Sequence, residues 1–497
     1  MNVNKIIMML FGVLIALWII VQGLTSGWNA ISQTFKYIGV ALLVIAFLKP
    51  LWGFWALVLS MGYLDLLKRF LVLGNYTSIS DVTIILAFAP FLSVIVFSGI
   101  LAKDLLSGNM PKDRMGLLIV VIGLGGALSL MVLAGFGGGG LGKLQSLANY
   151  AGYVPLIYVV PRLFPTAEAA NKMAKRIIIL FIPVALYTFK QYSFGLTWWE
   201  IAYLETGLSS EARILEGQTF RYFSTLNSSQ NLSKIASMVG AMALMVKWGK
   251  NKNGFSQHFI KGSLVIMFFV AAVMAGTRSG IIMGLVAILA FYCFRYRFIT
   301  IALYATGILS ILFVIIVSDY VVESKILNEL TATMQNKITW LDDERRLNIA
   351  TLTIRFESFA NWKNLDFWKP FGVGDNLGNF VIHDAFTRVI ARIGYIPSGL
   401  LVIFATTFLV KLHRSILRSV DGRNIKLMGL AIVICIFVGG ISASNNLSTF
   451  PVNTFLYIFS GFVVCGYQEE KRKKLLKETE ARELQDESSD ARVAVSS

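Results

Sequence analysis

The sequence predicts an all-α polytopic membrane protein of about 12–14 transmembrane helices, with one large extracytoplasmic loop. Hydrophobic residues make up 56% of the 497-residue chain and charged residues only 15%, whereas a soluble protein carries about a quarter charged residues. Apolar runs of roughly twenty residues, long enough to cross the hydrocarbon layer as a helix, recur along the chain. A spanning β-barrel would instead show short alternating segments. The lipid bilayer is therefore the first expected partner.

The apolar runs divide the chain into five parts. About fourteen spans are predicted, near residues 5–24, 35–49, 51–66, 82–102, 116–136, 148–161, 175–194, 231–247, 262–276, 280–294, 298–318, 391–411, 427–444 and 452–467. The parts are N-terminal transmembrane helices (1–194), transmembrane helices with arginine motifs (195–318), the large polar loop (319–390), C-terminal transmembrane helices (391–467) and a charged tail (468–497), expected to be disordered beyond a short helix because it lacks an apolar stripe. The three cysteines lie inside apolar runs, which predicts buried thiols and no disulfide framework.

Loop charge predicts the orientation of the helices. The net charge of +17 is explained by lysines and arginines collecting in cytoplasmic loops, and nothing in the chain resembles a nucleic-acid module. The run Lys471–Lys474 predicts a cytoplasmic tail, and counting back places both termini in the cytoplasm. Basic loops then alternate as expected, near 411–426, 295–297, 247–261, 172–176 and 103–114. Lys68-Arg69 is the exception, because the count places it outside.

The same count places three polar elements together on the non-cytoplasmic face. They are the stretch 196–230, the turn 276–280 and the loop 319–390. A site on that face has no access to ATP or nucleotide sugars. Any group transfer there must use a substrate that is already activated on the membrane.

Two arginines on that face are candidates for binding phosphate. Arg278 interrupts two apolar runs in a Gly-Thr-Arg-Ser-Gly turn; it is either a snorkelling side chain or a fixed cation at the membrane surface. Arg221 precedes Tyr-Phe-Ser-Thr-Leu and Asn227. This stretch is either a helix entry capped by Asn and Ser, or a site where arginine binds phosphate, aromatic rings stack on sugars and amides bind hydroxyls.

His383 is the candidate general base, because an imidazole titrates near neutral pH. It lies in the polar loop beside a carboxylate, just before the chain returns to the membrane. Other candidates in the loop are the alternative bases Glu357, Asp375 and Asp384, and the arginines Arg355 and Arg388, which would neutralise phosphate or pair with these acids. No His/Cys cluster indicates a metal, so no metal ligands and no cofactor are predicted.

Taken together, these motifs resemble the O-antigen ligase and O-antigen polymerase family of bacterial envelope glycosyltransferases. The resemblance covers roughly residues 215–410 and has four parts: Arg221 to Asn227 before a span, the turn Thr277 to Gly280, an Arg-Trp helix followed by Phe-Gly-Val-Gly from Arg355 to Phe380, and a His-containing element with spaced glycines from His383 to Gly399. Two positions depart from the family pattern. Asp384 stands where Asn is usual, and Ser228-Ser-Gln replaces a Pro-Asn pair.

The resemblance implies a GT-C-like fold and an enzyme of the bacterial inner membrane. Such an enzyme moves a glycan from undecaprenyl pyrophosphate to an acceptor glycan or lipid, by an inverting, metal-independent displacement. Arg221 and Arg278 would bind the pyrophosphate, and His383 would take the proton of the acceptor hydroxyl. Supporting roles would fall to Arg355, Glu357, Asp384, Arg388 and Asn227, and a chain-length regulator is a further expected partner.

Alternative functions stay open at this level. A lipid-linked oligosaccharide flippase or other transporter would carry charges inside the bundle and two related halves, and the chain has no evident internal repeat. A scaffold that binds glycan lipids without turnover would not need His383. Within the enzyme class, polymerase and ligase share the same motifs; the long N-terminal set of spans slightly favours a polymerase.

Overall fold

The computed structural model contains twelve α-helices, one short 3-10 helix and no strand within the residues it describes, which confirms the all-α prediction for that part of the chain. The described residues are 30–76, 79–110, 152–209, 221–248, 255–295, 361–363, 368, 370, 382, 384–393, 395, 399, 423–442 and 449–496. The helices are α1 (Ala30–Leu48), α2 (Pro50–Leu73), α3 (Ile79–Ser107), α4 (Leu156–Leu163), α5 (Ala167–Phe194), α6 (Trp198–Glu205), α7 (Ser229–Met245), α8 (Phe255–Met274), α9 (Arg278–Arg295), α10 (Ala385–Ile393), α11 (Arg423–Ser442) and α12 (Val452–Ser496); the 3-10 helix is Asn361–Lys363.

Helix α7 lies at the centre of the bundle. It packs against α5, α8, α9, α11 and α12, and nearly all of its residues are buried, including Ser233, Lys234 and Ser237. A surface helix has an apolar stripe towards the core and a polar face towards solvent. Helix α7 lacks this division, because it is buried on every side. Its position makes α7 the element that fixes the surrounding helices relative to one another.

Small residues allow α7 and α9 to approach closely. Ser237 Oγ donates a hydrogen bond to Gly280 O at 2.5 Å, and Ser233 Oγ lies 2.2 Å from where a Cβ on Gly280 would stand. A Cβ on Gly284 would stand 2.7 Å from the Cβ of Ser237. Glycine and serine at such a crossing bring two helix backbones close enough for side-chain to backbone hydrogen bonds.

Replacing Gly280 with alanine should therefore destabilise the protein. The added methyl group would also meet the backbone of Ser233 and Lys234, at 2.5 and 2.6 Å, so the helices would have to separate, at a cost of about 1–3 kcal/mol. The measurement is the unfolding midpoint in detergent. Gly262→Ala on α8 is the matched control, because nothing lies within 4 Å of its Cβ position, and its midpoint should stay the same or rise. Equal midpoints for the two variants would contradict the close packing.

The two ends of the bundle differ in character. At the first, called the motif end, the end of α2 contacts residues 224–227 and Arg221 lies beside the α8–α9 turn. Asn231 at the start of α7 also donates to Phe450 O there, just before α12. At the second, called the basic end, ion pairs join α3 to α4 and α11 to α12, and Asn171 of α5 binds Lys247 after α7.

The described parts of all three polar elements lie at the motif end. The stretch 196–230 and the turn 276–280 meet there directly. Of the loop 319–390, Trp362 donates to Thr387 of α10 at 2.9 Å, and α10 packs beside Gly440 near the end of α11. At the opposite end, three of the loops that sequence analysis assigned to one side have described contacts: Lys247 with Asn171, Lys426 with Glu470, and Asp104 with Arg162.

Two helical stretches of the described chain are long and apolar enough to cross a membrane, Ile85–Ser107 and Ala167–Phe194. Four further apolar stretches are shorter: Tyr37–Leu48, His258–Met274, Ser279–Arg295 and Asn424–Gly440. The predicted spans 5–24, 116–136 and 298–318 lie outside the described residues. The count of about fourteen spans therefore stays a prediction.

The C-terminal tail differs from its expected disorder, since α12 continues without a break from Val452 to Ser496. Residues 467–496 contain no glycine or proline and are rich in Glu, Lys, Arg, Leu and Ala, which are strong helix formers. An ion pair one turn apart joins Lys473 and Glu469 at 3.5 Å. The absence of an apolar stripe argues against packing on a core, but it does not prevent a solvated helix.

Candidate anion-binding site

Residues 221–228 form an irregular segment that is held against α2 and α5 before α7 begins. Thr225 Oγ1 donates to Gly62 O of α2 at 2.6 Å, and Ser224 Oγ donates to Val184 O of α5 at 2.6 Å. Ser224 has a φ of +52°, a left-handed conformation that is uncommon for residues other than glycine. The surrounding hydrogen bonds keep the backbone in this disfavoured shape.

Arg69 of α2 binds the backbone of this segment at two points. Its Nη1 donates to Ser224 O at 2.7 Å and its Nη2 donates to Leu226 O. The guanidinium also lies over the ring of Phe223, 4.7 Å from its centroid. Arg69 is 1% exposed, and its planar fork satisfies two carbonyls that would otherwise need water.

Asp65 and Lys68 hold the end of the same segment. Lys68 Nζ donates to Asp65 Oδ1 and to Asn227 Oδ1, both at 3.0 Å, and Asn227 N donates to Asp65 Oδ2 at 3.1 Å. The next residue, Ser228, caps α7 by accepting a bond from its first turn. The amide oxygen of Asn227, which was predicted to support the site, therefore faces α2. The contacts of Asn227 and Ser228 are those of residues at the entry to a helix.

These contacts explain the one exception to the loop-charge pattern. Lys68 and Arg69 are buried near the end of α2 rather than exposed in a loop. Only loop charges that meet the cytoplasm orient helices, so this pair carries no information about topology.

Glu200 of α6 extends the polar contacts from α2 to α5. Its carboxylate is fully buried and accepts bonds from Thr197 N at 2.8 Å, Thr197 Oγ1 at 2.7 Å, Tyr187 Oη at 3.1 Å and Gln191 Nε2. Gln191 in turn accepts a bond from Ser224 N at 2.8 Å. The short helix α6 is thereby connected to residues 221–228 through one glutamine side chain.

Hydrogen bonds lower the pKa of Glu200 in spite of its burial. Burial alone would raise the pKa, but the bonds from Thr197 and Gln191 and the charge of Lys190 outweigh it, so the pKa lies below the ordinary value of 4.5. A depressed folded-state pKa contributes stability that is complete above the unfolded pKa and is lost as pH falls through the folded one. Glu200 should therefore stabilise the protein at neutral pH and cease to do so in acid.

Glu200→Gln should lower the free energy of unfolding by about 1–3 kcal/mol at neutral pH, because an amide must turn its NH₂ towards at least one of the donors. The difference from wild type should shrink as pH falls below the ordinary value of 4.5 and through the lowered pKa of the folded carboxyl. Thermal midpoints recorded across pH measure this. Glu168→Gln, at a side chain 73% exposed, is the control; a gap for Glu200→Gln that stays constant with pH would contradict the assignment.

The structure brings Arg221 beside the turn that carries Arg278. The Cγ of Arg221 lies 3.7 Å from where a Cβ on Gly276 would stand, and Gly276 itself has a φ of +69°. Helix α9 begins two residues later, at Arg278. A helix N-terminus presents unpaired backbone N–H groups and a partial positive charge, which favour an anion. The aliphatic stem of Arg221 lies beside the turn that leads into that terminus.

Buried hydroxyl groups shape the same turn. Ser233 Oγ of α7 lies within hydrogen-bond distance of Ala272 O at 3.0 Å and Thr277 O at 2.9 Å, which holds the turn against α7. Thr277 is 7% exposed, and its Oγ1 has no hydrogen-bond partner within the described chain. A buried hydroxyl without a partner is costly.

Several predicted residues lie outside the described part of the chain. They are His383, Arg355, Glu357 and Asp375, together with the side chain of Arg278. Their roles stay predictions. The residues on either side of His383 are described: Ile382 is half-buried, and Asp384 begins the turn into α10.

Asp384 caps α10, which accounts for it without a role as base. It is fully buried, and its Oδ1 accepts a bond from Thr387 N at 2.7 Å, as an N-cap carboxylate does. Arg388 lies in the first turn of the same helix. Phe386 stacks on Phe437 of α11 at 6.4 Å. The chain that follows His383 is thus fixed to the bundle at the motif end.

Sequence reasoning missed Asp65, Arg69 and Glu200. Asp65, Lys68 and Arg69 are spaced three and four residues apart, which places them on one face of a helix, and three charges in an apolar helix are costly unless they are paired. That spacing was the available signal. Among the described residues, no group of three His, Cys, Asp or Glu side chains could hold a metal ion.

The described chain is a helical bundle in which Arg221 lies beside the turn that starts α9. No protein-family model matches the chain, and no curated protein matches it significantly.

Proposed function

We propose that the chain is a glycosyltransferase of the bacterial inner membrane, which moves a glycan from undecaprenyl pyrophosphate to an acceptor sugar on the extracytoplasmic face. The observation that carries this proposal is the position of Arg221 beside the turn that starts α9. Two motifs about fifty residues apart in sequence, which resemble the same family, meet at the end of the bundle opposite the basic loops. Arginine and a helix N-terminus together suit a pyrophosphate.

Outward-facing apolar side chains support a membrane location with more spans than two. On α8, Ile266 and Val273 are 65% and 58% exposed, and on α9, Leu285 and Leu289 are 56% and 55% exposed. Rows of exposed aliphatic side chains this extensive are rare on soluble monomers. With lipid around them they are solvated, and both helices then count among the predicted spans.

The chemistry requires no group beyond the predicted side chains. The acceptor hydroxyl oxygen attacks the anomeric carbon while the bond from that carbon to the pyrophosphate oxygen breaks. The leaving pyrophosphate takes the electron pair, and its added charge is stabilised by Arg221, Arg278 and the first N–H groups of α9. His383 takes the hydroxyl proton. The sugar's configuration is inverted, and the products are a longer glycan and undecaprenyl pyrophosphate.

A flippase for lipid-linked oligosaccharides is the second candidate, favoured by charges inside the bundle. Lys234 is 2% exposed within α7, and Asp65, Lys68 and Arg69 are similarly buried. Ionisable groups inside a membrane protein commonly mark a transport path. The α2 charges, however, bind the 224–227 backbone, which is a structural use, and the transferase accounts for more of the motif residues.

One reconstitution experiment separates the two. The purified protein in lipid vesicles receives a synthetic undecaprenyl-pyrophosphate oligosaccharide with either a lipid-linked glycan or a lipid A-core acceptor. Release of undecaprenyl pyrophosphate together with a longer glycan supports the transferase, and the acceptor consumed distinguishes polymerase from ligase. The flippase would replace the transferase if the donor moves between leaflets but no undecaprenyl pyrophosphate is released with either acceptor. In that case His383→Ala should not affect the movement of the donor.

A further inference from the structure

We infer that Arg69, supported by Asp65 and Lys68, is a positioning residue that holds Arg221 at the anion-binding turn. The expected effect on transfer rests on the proposed function, whereas the placement of residues 221–228 by Arg69 does not. The α2 side chains act on the backbone of residues 224–227, and through that backbone on Arg221.

Each buried cation of this cluster lies near a carboxylate, which argues against a second anion site. Lys68 pairs with Asp65 at 3.0 Å, and Glu200 supplies the second negative charge near Arg69. Arg69 Nη1 and Nη2 donate to Ser224 O and Leu226 O, and Lys68 Nζ donates to Asp65 and Asn227. Only Arg69 Nε has no hydrogen-bond partner among the described residues of this cluster. Buried charges that are paired and hydrogen-bonded to backbone hold a chain in one shape rather than await a ligand.

Only a short and well-packed piece of chain separates Arg221 from Ser224, the nearest residue that Arg69 binds. Ser224 lies only three residues after Arg221, a separation of at most about 11 Å along extended chain. Between them, Phe223 is 1% exposed beneath the Arg69 guanidinium, and the Tyr222 ring contacts Tyr192 of α5 at 5.5 Å. Fixing residues 222–224 therefore fixes where the Arg221 side chain starts.

Arginine is required at position 69 because two carbonyls two residues apart must be bound at once. The guanidinium offers separate donors in a rigid plane, whereas a lysine ammonium is a point charge on a flexible stem. Arg69→Lys should keep the charge but loosen the segment, and Arg69→Met should remove both bonds. Lys426→Met is the control, because Lys426 is also a buried basic residue, but it pairs with Glu470 at the basic end.

The structural part is tested by hydrogen–deuterium exchange of the full-length protein in lipid nanodiscs. In Arg69→Met, amides in residues 221–228 should exchange at least about 10-fold faster, while those in α11 and α12 stay within about 2-fold, because the lost bonds are local. Arg69→Lys should fall between wild type and Arg69→Met. Unchanged exchange in residues 221–228, or an equal rise across α11 and α12, would overturn the positioning role.

The catalytic part is tested with the same variants in the transfer assay. A misplaced Arg221 should lower kcat/KM for the undecaprenyl-pyrophosphate donor by about 100-fold in Arg69→Met, with partial recovery in Arg69→Lys and an unchanged KM for the acceptor. Full donor kcat/KM in Arg69→Met would overturn the inference. If wild type itself releases no undecaprenyl pyrophosphate, the proposed function fails, while the exchange result still decides whether Arg69 positions the segment.

Discussion

Arg221→Ala is expected to lower the rate of glycan transfer by about 100- to 1,000-fold, the usual cost of removing one group that stabilises charge in a transition state. Arg221 lies against the Gly276 turn at the start of α9, where the leaving pyrophosphate would gain charge. The loss should appear in kcat as well as in donor KM, because the charge on the bridging oxygen grows as the bond to the sugar breaks. Single-turnover and steady-state rates of undecaprenyl pyrophosphate release measure the two effects.

Comparison with lysine and with a distant arginine makes this prediction specific. Arg221→Lys should retain part of the rate, since it keeps the charge but loses two-point contact with phosphate. Arg162→Ala should leave the rate unchanged, because Arg162 pairs with Asp104 at 3.0 Å at the basic end. Transfer by Arg221→Ala within 2-fold of wild type would remove Arg221 from the pyrophosphate site.

Local patterns account for what the sequence could predict of this molecule. Apolar runs predicted helices that the structure contains, from α1 at Ala30–Leu48 to α11 at Arg423–Ser442, because the period and length of such runs depend only on neighbouring residues. Loop charge likewise predicted that the polar elements 196–230 and 276–280 share one end. Successive loops alternate between the two ends of a bundle because each helix crosses it once, so their assignment needs no knowledge of how the helices pack.

The support for Arg221 could not be predicted in the same way. Arg69 and Ser224 are 155 residues apart, and nothing near either residue specifies the other. Ser224 in a left-handed conformation follows from tertiary contacts, not from its own preference. The tail differs from its expected disorder for the opposite reason: helix propensity, a local property, favours the helix over residues 467–496 even without an apolar stripe.

Asp65→Ala should be the most destabilising single change in the α2 cluster, at about 3–5 kcal/mol, because it leaves a buried ammonium without its counter-charge. The side chains of Asp65 and Lys68 are 7% and 2% exposed, so water cannot replace the lost partner. The change also removes the acceptor for Asn227 N. Unfolding in mixed micelles titrated with SDS measures the loss.

The double variant Asp65→Asn/Lys68→Met separates charge from packing. Asparagine keeps an oxygen for the Asn227 N–H, and methionine fills the lysine site without charge, so the double variant should be more stable than Asp65→Ala by about 1–3 kcal/mol. Glu168→Ala, which breaks an exposed ion pair with Lys172, should cost less than about 1 kcal/mol. If Asp65→Ala costs no more than Glu168→Ala, Lys68 finds another partner and the cluster is not a closed unit. If the double variant is as unstable as Asp65→Ala, removing the charge of Lys68 restores no stability, and the loss of its counter-charge is not what destabilises Asp65→Ala.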